Sequence, residues 1–236
     1  MKTVVVLPTY NEADNLALLV ERIRGLQVSD LCVLVVDDNS PDGTGDIADE
    51  LRRTYPEFLV EVMHRPGKLG LGTAYVQGFR KALELGADYV IQMDTDFSHP
   101  VEAIPRLLEA ASRADVAVGS RYTAGGQLDP SWGWRRRFLS WGANAFVRWR
   151  TGLTLQDATG GFRCYRRQVL EAIDLGQVRS YGFGFQFETA YAIERKGFRF
   201  AEVPILFRDR AQGQSKMSLR IMAEAFWRVW EMKRRY

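Results

Sequence analysis

Short apolar runs that alternate with amphipathic stretches constrain the fold of this chain of 236 residues. The apolar runs occupy residues 3–7, 31–36, 58–64, 88–94 and 115–122. Stretches with helical spacing lie between them, over residues 13–26, 47–53, 72–86 and 100–114. Strands and helices that alternate with short links build right-handed crossovers and a mostly parallel sheet. The sequence therefore predicts an α/β fold, with a mostly parallel, mixed central sheet flanked by helices.

The alternation stops after residue 122. A loop (123–133), a helix (134–152) and a strand or turn that enters a helix (159–173) follow. Then come a helix (181–197), a strand (198–209) and a terminal helix (218–236). The sequence contains no internal repeat and no second apolar core. We therefore predict a single domain over residues 1–236, with halves that meet at residue 122.

Composition excludes several classes of protein. The chain is 46% hydrophobic and 26% charged, as soluble globular proteins are, and a net charge of +3 is too small to indicate nucleic-acid binding. Cys32 and Cys164 lack metal-site spacing, so reduced thiols in the cytoplasm are expected. No apolar run reaches the roughly 18 residues that a membrane-spanning helix needs.

Two acidic pairs follow predicted strands: Asp37 with Asp38, and Asp94 with Asp96. Ligands of open α/β sheets bind outside the carboxyl ends of the strands, so these pairs and residues 8–10 are expected at one edge. Adjacent carboxylates repel each other unless a cation lies between them, and oxygen ligands suit Mg²⁺ or Mn²⁺. Helix capping is the alternative, but the position after a buried strand favours a metal that holds a diphosphate.

Other catalytic motifs are missing from the sequence. The glycines of GKLGLGTAY (residues 67–75) do not have dinucleotide-binding spacing, and no Walker A motif occurs. His64 and His99 lack the spacing of a metalloprotease or a catalytic triad, and Ser98 is not in a nucleophile elbow. We assign no catalytic role to either histidine.

Two helical stretches combine large apolar side chains with arginines. Helical spacing places these residues of the first stretch on one face: Trp134, Phe138, Trp141, Ala145 and Trp149. The terminal helix does the same with Leu219, Met222, Phe226, Val229 and Trp230. Such faces pack against a core or lie in a membrane interface beside anionic lipid, and both interpretations stay open.

The segment RDRAQGQSK (residues 208–216) is a basic loop with Arg208, Arg210 and Lys216 around a glycine. A solvated loop is the simplest interpretation. Beside an acidic metal site, however, such a loop could clamp a diphosphate, because arginine binds phosphate through two nitrogens.

Seven segments, in this order, resemble one known family. They are VVVLPTYNEADNL, VLVVDDNSPDGTGDIA, RPGKLGLGTAY, QMDTDFSHP, VGSRY, DATGGFRCYRR and VPILFRDRAQGQSK. Together they are similar to the dolichyl- or polyprenyl-phosphate mannosyltransferases, which belong to the inverting GT-A glycosyltransferases of family 2. The resemblance extends from residue 3 to about residue 216. It implies a GT-A fold whose nucleotide-sugar-binding half is 1–122 and whose acceptor and membrane-interface half is 123–236.

The resemblance also implies roles for residues on the donor side. Those expected to hold the guanosine are Pro8, Tyr10, Glu12, Val36 and Asp38. Asp94 and Asp96 match the family's DxD motif, which binds Mg²⁺ or Mn²⁺ and the donor diphosphate. Thr95 would line the donor, and Ser98 would complete the metal shell.

Basic residues have implied roles at the phosphates. Arg121 would contact a donor or acceptor phosphate, and Arg210 and Lys216 would close over the diphosphate. Arg163 and Arg137 would serve the acceptor phosphate. Among these residues, Arg121 and Arg210 are expected to be catalytic together with Asp96.

The implied reaction transfers mannose from GDP-mannose to a polyprenyl or dolichyl monophosphate with inversion. Because this sequence ends without membrane-spanning helices, the two amphipathic helices would dock it on the cytoplasmic face of the membrane, alone or with an anchoring protein. A glucosyltransferase that uses UDP-glucose would share nearly all of these motifs. A nucleotidyltransferase is a further alternative, although it would begin with a glycine-rich phosphate loop.

Overall fold

A seven-stranded sheet forms the centre of the protein in a computed structural model that describes residues 1–178, 184–209, 229, 230 and 232. The strand order is β3-β2-β1-β4-β7-β5-β8, and a separate two-stranded sheet pairs β6 with β9. The strands are β1 (Thr3–Thr9), β2 (Leu31–Asp37), β3 (Val60–His64), β4 (Tyr89–Gln92), β5 (Val116–Ser120), β6 (Gln127–Leu128), β7 (Arg163–Arg166), β8 (Phe200–Pro204) and β9 (Leu206–Phe207). The predicted α/β class with a mostly parallel, mixed sheet is confirmed.

Helices cover both faces of the central sheet. They are α1 (Ala13–Arg24), α2 (Thr44–Thr54), α3 (Leu71–Glu84), α4 (Ile104–Arg113), α5 (Trp134–Thr151), α6 (Arg167–Ala172) and α7 (Gly184–Arg195). Alternate residues of β1 point to opposite faces, so Val5 and Leu7 pack in the core with α1, α2 and α4. Val4 and Val6 pack in the other core, with α3, α6 and α7. Burial on both faces explains why the strand is a continuous apolar run.

Helix α3 packs unusually close to the sheet at Gly78. A Cβ atom at this position would lie 2.4 Å from Cγ1 of Val6 and 3.2 Å from Cγ2 of Val36. Only glycine allows this approach. The same helix carries Tyr75, whose hydroxyl reaches the turn after β4.

Strand β7 is the main departure from the predicted arrangement. It lies between β4 and β5 and runs antiparallel to both, so those two strands are not neighbours. The sequence predicts either a strand or a turn for this segment, because a single four-residue strand shows little periodicity. The predicted strand 198–209 is divided into β8 and β9 at Ile205, and the predicted loop 123–133 contains β6.

Candidate active site

The candidate site lies at the carboxyl ends of β1 and β4, where the chain order of the strands in the sheet switches direction. Strand β1 pairs in parallel with both β2 and β4, which is the arrangement that opens a crevice in an α/β sheet. The Thr95 hydroxyl donates a 3.0 Å hydrogen bond to the Pro8 carbonyl and joins the two strand ends. Thr95 is only 2% exposed, and its role in lining the donor stays a prediction.

The two residues of the first acidic pair have different surroundings. Asp37 is buried and accepts hydrogen bonds from the hydroxyls of Thr9, at 3.1 Å, and Ser40, at 2.6 Å. It therefore holds the strand ends together. Asp38 pairs with the buried guanidinium of Arg65. Burial raises the pKa of Asp38 above its usual value, although Arg65 opposes the shift.

Arg65 belongs to the candidate site, although no sequence pattern predicts a role for it. Its Nη2 donates to the hydroxyl of Thr73 at 2.6 Å, so one guanidinium joins Asp38 to the start of α3. Its buried Nε has no hydrogen-bond partner among the residues that the structure describes. The motif RPGKLGLGTAY contains both Arg65 and Thr73, but their shared contact depends on the fold.

The predicted guanosine residues lie at the same edge, with one correction. Nζ of Lys68 is 3.8 Å from the ring centroid of Tyr10, and the Glu12 carboxylate accepts a 2.8 Å hydrogen bond from the Asn15 amide. Pro8, Tyr10 and Glu12 are all half-buried. The side chain of Val36, by contrast, is fully buried in the core beside Gly78 and cannot contact a nucleotide.

The turn after β4 is held by aromatic and histidine side chains. The Tyr75 hydroxyl donates to the Asp94 carboxylate at 2.7 Å, and the backbone N–H of Asp94 donates to Nδ1 of His99 at 3.1 Å. An accepting Nδ1 requires an unprotonated nitrogen, which agrees with a His99 pKa lowered by burial despite the nearby Asp94. His99 stacks on Phe162 with ring centroids 5.1 Å apart. It therefore acts on the turn as a positioning residue.

The same turn contains a strained residue and an unpartnered hydroxyl. Phe97 has a φ of 59°, in the left-handed region that costs a large side chain on the order of 1–3 kcal/mol. The backbone N–H of Ser98 donates to the Asp96 carboxylate at 3.1 Å. The Ser98 hydroxyl is buried and has no hydrogen-bond partner in the described part of the chain. A buried hydroxyl without a partner inside the protein is suited to bind a ligand that comes from outside it.

These groups fit a divalent cation bound together with a substrate. Within residues 1–178 and 184–209, no three His, Cys, Asp or Glu side chains group as a metal site. The turn instead offers Asp94, Asp96 and the Ser98 hydroxyl. Mg²⁺ is commonly held by one or two carboxylates together with substrate phosphates, so this set fits the predicted metal.

Arg121, at the end of β5, forms a buried ion pair that the sequence did not predict. Its Nε and Nη2 donate to the two carboxylate oxygens of Asp157 at 2.7 and 2.6 Å. Burial alone would raise the pKa of Asp157, but Arg121 overcomes this effect and holds that pKa below its usual value. Nη2 also donates to the Thr159 hydroxyl at 2.8 Å. No hydrogen bond from Nη1 is found among the described residues, and the Arg121 side chain keeps 9% exposure.

Phe207, on β9, connects Arg121 to the turn after β4. The Arg121 guanidinium lies 5.1 Å from the Phe207 ring centroid, and the His99 ring lies 5.7 Å from it. The backbone N–H of Arg208 donates to the Ser98 carbonyl at 3.2 Å. The ion pair and the acidic turn are therefore connected through Phe207 and Arg208.

The predicted acceptor role of Arg163 is corrected by the structure. Arg163 is fully buried, and its Nε, Nη1 and Nη2 donate to the carbonyls of Gly160, Gln186 and Ala158 at 2.8–2.9 Å. A guanidinium with every nitrogen engaged and no exposed surface cannot bind a phosphate. Arg163 instead holds the segment before β7 against α7.

Arg137 also donates to backbone carbonyls, but it is exposed. Its Nε donates to the Trp132 carbonyl at 2.9 Å and its Nη2 to that of Asp129 at 3.0 Å. These bonds close the turn before α5. Its role at the acceptor phosphate stays a prediction. Arg210 and Lys216, of the predicted phosphate loop, lie outside the described residues.

Helix α5 exposes the aromatic side chains that its sequence placed on one face. Exposed fractions are 73% for Trp134, 63% for Phe138, 57% for Trp141 and 78% for Trp149. A core-facing role is therefore wrong for this aromatic face, and the helix packs on the core through Val147 instead. Ala145, on the same predicted face, is half-buried.

The terminal helix is described at only three residues. Val229 and Met232 are buried in the core, whereas Trp230 is 55% exposed and has the Arg150 guanidinium 3.9 Å from its ring centroid. Val229 and Trp230 thus do not share an environment, contrary to the prediction. Leu219, Met222 and Phe226 lie outside the described residues. Among helices in the described ranges, none has the length and hydropathy to span a bilayer.

Solved structures of other proteins share this fold. A mannosyltransferase from Pyrobaculum calidifontis in complex with GDP-Man and Mn2+ matches with a TM-score of 0.68 and 17% identity, over 100% of this chain and 64% of that one. Mannosyl-3-phosphoglycerate synthase from Rubrobacter xylanophilus matches with a TM-score of 0.71 and 19% identity, over 100% of this chain and 74% of that one. These likenesses confirm the predicted GT-A fold.

Curated relatives are similar over nearly the whole chain. Undecaprenyl-phosphate mannosyltransferase of Micrococcus luteus is 46% identical over 95% of this chain and 91% of its own length. Polyprenol monophosphomannose synthase of Mycolicibacterium smegmatis is 46% identical over 98% and 86%. Dolichol-phosphate mannosyltransferase of Pyrococcus furiosus is 36% identical over 98% of this chain but only 64% of its own length.

A family model described as glycosyl transferase family 2 matches residues 4–174. That range includes both acidic pairs, Arg121 and Asp157. The match to this family excludes the alternative that the protein is a nucleotidyltransferase. The chain belongs to glycosyl transferase family 2.

Proposed function

We propose that the protein transfers mannose from GDP-mannose to a polyprenyl or dolichyl monophosphate, with inversion at the sugar carbon C1. The observation that carries the proposal is the turn after β4. There, two carboxylates and the unpartnered Ser98 hydroxyl lie at the β1–β4 crevice, connected through Phe207 to a buried arginine. The names of the relatives at 36–46% identity supply the mannosyl group and the lipid phosphate.

A divalent cation belongs to this proposal. Asp94, Asp96 and Ser98 would hold Mg²⁺ or Mn²⁺, which when bound offsets negative charge on the diphosphate of the donor. Asp38, paired with Arg65, and the half-buried Tyr10 and Glu12 would hold the guanosine. Pro8 would line the same pocket.

The acceptor needs no general base. A phosphate monoester carries nearly two negative charges at neutral pH, so its oxygen is already a nucleophile. That oxygen forms a bond to C1 while the bond from C1 to the diphosphate oxygen breaks, which inverts an α-linked donor to a β-mannosyl phosphate. His99 is buried and its Nδ1 is engaged, which fits chemistry without a histidine base.

The contribution of the protein is then placement and charge. Arg121, fixed by Asp157, would direct its Nη1 at the acceptor phosphate. Arg137, at the start of α5, would also bind the acceptor phosphate. Arg210 and Lys216 would close over the leaving diphosphate and stabilise its growing charge.

The exposed aromatic face of α5 supports docking at a membrane. Trp134, Phe138, Trp141 and Trp149 present indole and phenyl rings beside arginines, the combination found in interfacial helices. The neighbouring guanidiniums would attract anionic lipid. We propose peripheral binding at the cytoplasmic face, where a lipid phosphate can reach Arg121 while its chain stays in the bilayer.

Radiolabelled sugar transfer to polyprenyl phosphate in vesicles tests the proposal. Mannose from GDP-mannose should be transferred in the presence of Mg²⁺ or Mn²⁺, and EDTA should abolish transfer. UDP-glucose at the same concentration should give at least tenfold less product. Faster transfer of glucose than of mannose would establish the glucosyltransferase alternative instead.

A further inference from the structure

Helix α5 has an unusual distribution of side chains. The aromatic residues Trp134, Phe138, Trp141 and Trp149 face solvent, while the buried residues of the helix are Val147 and the polar Asn144, which is 3% exposed. A buried amide is costly unless its hydrogen bonds are satisfied. The partners of Asn144 therefore show what this helix is attached to.

Asn144 is bound to the segment that fixes Arg121. Its Nδ2 donates to the Thr159 hydroxyl at 3.0 Å, and its Oδ1 accepts from the Thr159 backbone N–H at 3.2 Å. The same hydroxyl accepts a hydrogen bond from Arg121 Nη2 at 2.8 Å. The Thr159 side chain thus bridges Asn144, on the helix, and the Arg121 guanidinium.

The network has a single consistent arrangement of hydrogen atoms. The Thr159 oxygen accepts from both Asn144 and Arg121, and it lies 3.5 Å from Asp157 Oδ1, the acceptor left for its own hydrogen. Because Asn144 also accepts from a backbone N–H, its amide orientation is fixed. Movement of Asn144 would change the position of Thr159 and, through it, of Arg121.

A second contact joins the helix to the residue next to Arg121. The Tyr122 hydroxyl donates to the hydroxyl of Ser140, one turn before Asn144 on α5, at 2.7 Å. The helix is therefore attached to both Arg121 and its neighbour. A movement of α5 would therefore displace the Arg121 guanidinium through two connections, one from Asn144 to Thr159 and one from Ser140 to Tyr122.

We propose that Asn144 is a positioning residue that transmits the placement of α5 to Arg121, and so tunes binding of the acceptor phosphate. The inference rests on the proposed function, since it assigns Arg121 to the acceptor. The side chain itself touches no substrate. It acts through Thr159, whose hydroxyl selects the guanidinium orientation that directs Nη1 at the acceptor.

Steady-state kinetics with polyprenyl phosphate in phosphatidylglycerol vesicles and GDP-mannose would test this. Asn144→Ala should raise the KM for the lipid phosphate about tenfold, the size of a lost hydrogen bond in a charged network, with the KM for GDP-mannose unchanged. Thr151→Val is the matched control. It removes a 2.6 Å hydrogen bond to the Val147 carbonyl on the same helix, away from Arg121, and should leave both constants unchanged.

Thr159 provides an independent pair of variants if Asn144→Ala does not fold. Thr159→Ser keeps the hydroxyl and should retain the acceptor KM, whereas Thr159→Val should raise it as Asn144→Ala does. Equal effects on donor and acceptor KM, or equal effects of Asn144→Ala and Thr151→Val, would overturn the positioning role. A wild-type protein that transfers no mannose to the lipid would instead overturn the proposed function.

Discussion

On the proposed donor side of the site, the turns after β1, β2 and β4 are joined by hydrogen bonds between neighbouring strand ends, as between Thr95 and Pro8. On the proposed acceptor side, Arg121 is held by Asp157 and Thr159, which lie 36 and 38 residues further along the chain. Strand ends come together whenever the sheet forms. The ion pair forms only if a long segment folds back and places the Asp157 carboxylate against the Arg121 guanidinium. Changes on the donor side should therefore affect chemistry, and changes on the acceptor side should affect both geometry and stability.

The largest effect is expected on the donor side, from Asp96→Asn. The amide keeps an oxygen acceptor for the Ser98 N–H but removes the charge, so transfer should fall about 1,000-fold and lose its metal dependence. Transfer rates over a range of Mn²⁺ concentrations measure this. Asp46→Asn, on the exposed surface of α2, is the control. Near-normal, metal-stimulated transfer by Asp96→Asn would rule out the metal site.

Two arginines that the sequence placed at the phosphates, Arg163 and Arg121, should respond differently. Arg163→Met leaves three buried carbonyls without donors and should lower the free energy of unfolding by about 3–5 kcal/mol. Arg121→Lys retains the charge but loses the two-nitrogen contact with Asp157, and should reduce kcat/KM for the lipid phosphate about 100-fold. Urea unfolding and acceptor kinetics on both variants separate these outcomes. A stable Arg163→Met protein with a raised acceptor KM would restore the phosphate role of Arg163.

The exposed face of α5 should matter for membrane binding and little for folding. Replacing Trp134 and Trp141 together with serine should weaken binding to anionic vesicles about tenfold, since each indole buries apolar surface at the interface. Vesicle co-sedimentation measures this loss. Melting temperatures should stay nearly constant, because these side chains are exposed.

The matched control for this pair replaces Leu18 and Leu59 with serine. Both leucines are exposed apolar residues outside α5, at 47% and 41%. Equal weakening of vesicle binding by the control pair would remove the special role of α5.

The smallest expected effect is a change in the pH dependence of stability. The pKa of Asp157 is lowered in the folded protein, so its ionised form stabilises the fold above the unfolded pKa of about 3.9. This contribution is lost as the pH falls through the lowered, folded value. Asp157→Asn should therefore be less stable than the wild type at pH 7, and the difference in urea midpoint should shrink below pH 4. A constant difference from pH 7 to pH 3 would contradict the ion pair.

The site residues that the sequence predicts at the strand ends share a local signal. Asp94, Asp96 and Ser98 follow a buried apolar run, and β1, β2 and β4 were evident from periodicity alone. Val36 and Thr95 show the limit of such signals, because a strand-end position does not reveal which side chains are buried. Tyr75 and Arg65 were missed, since each reaches its carboxylate partner from a different element, 19 and 27 residues away.

The sequence by itself determined the α/β class and the acidic turn at the mouth of the sheet. Both follow from patterns within a few residues, and parallel strands bring their carboxyl ends to one edge whatever surrounds them. Only the tertiary structure placed β7 between β4 and β5, paired Arg121 with Asp157, buried Arg163 and exposed the aromatic face of α5. Each of these outcomes depends on contacts between distant segments. A helical face or an arginine looks the same in sequence whether it faces the core, a carboxylate or the solvent.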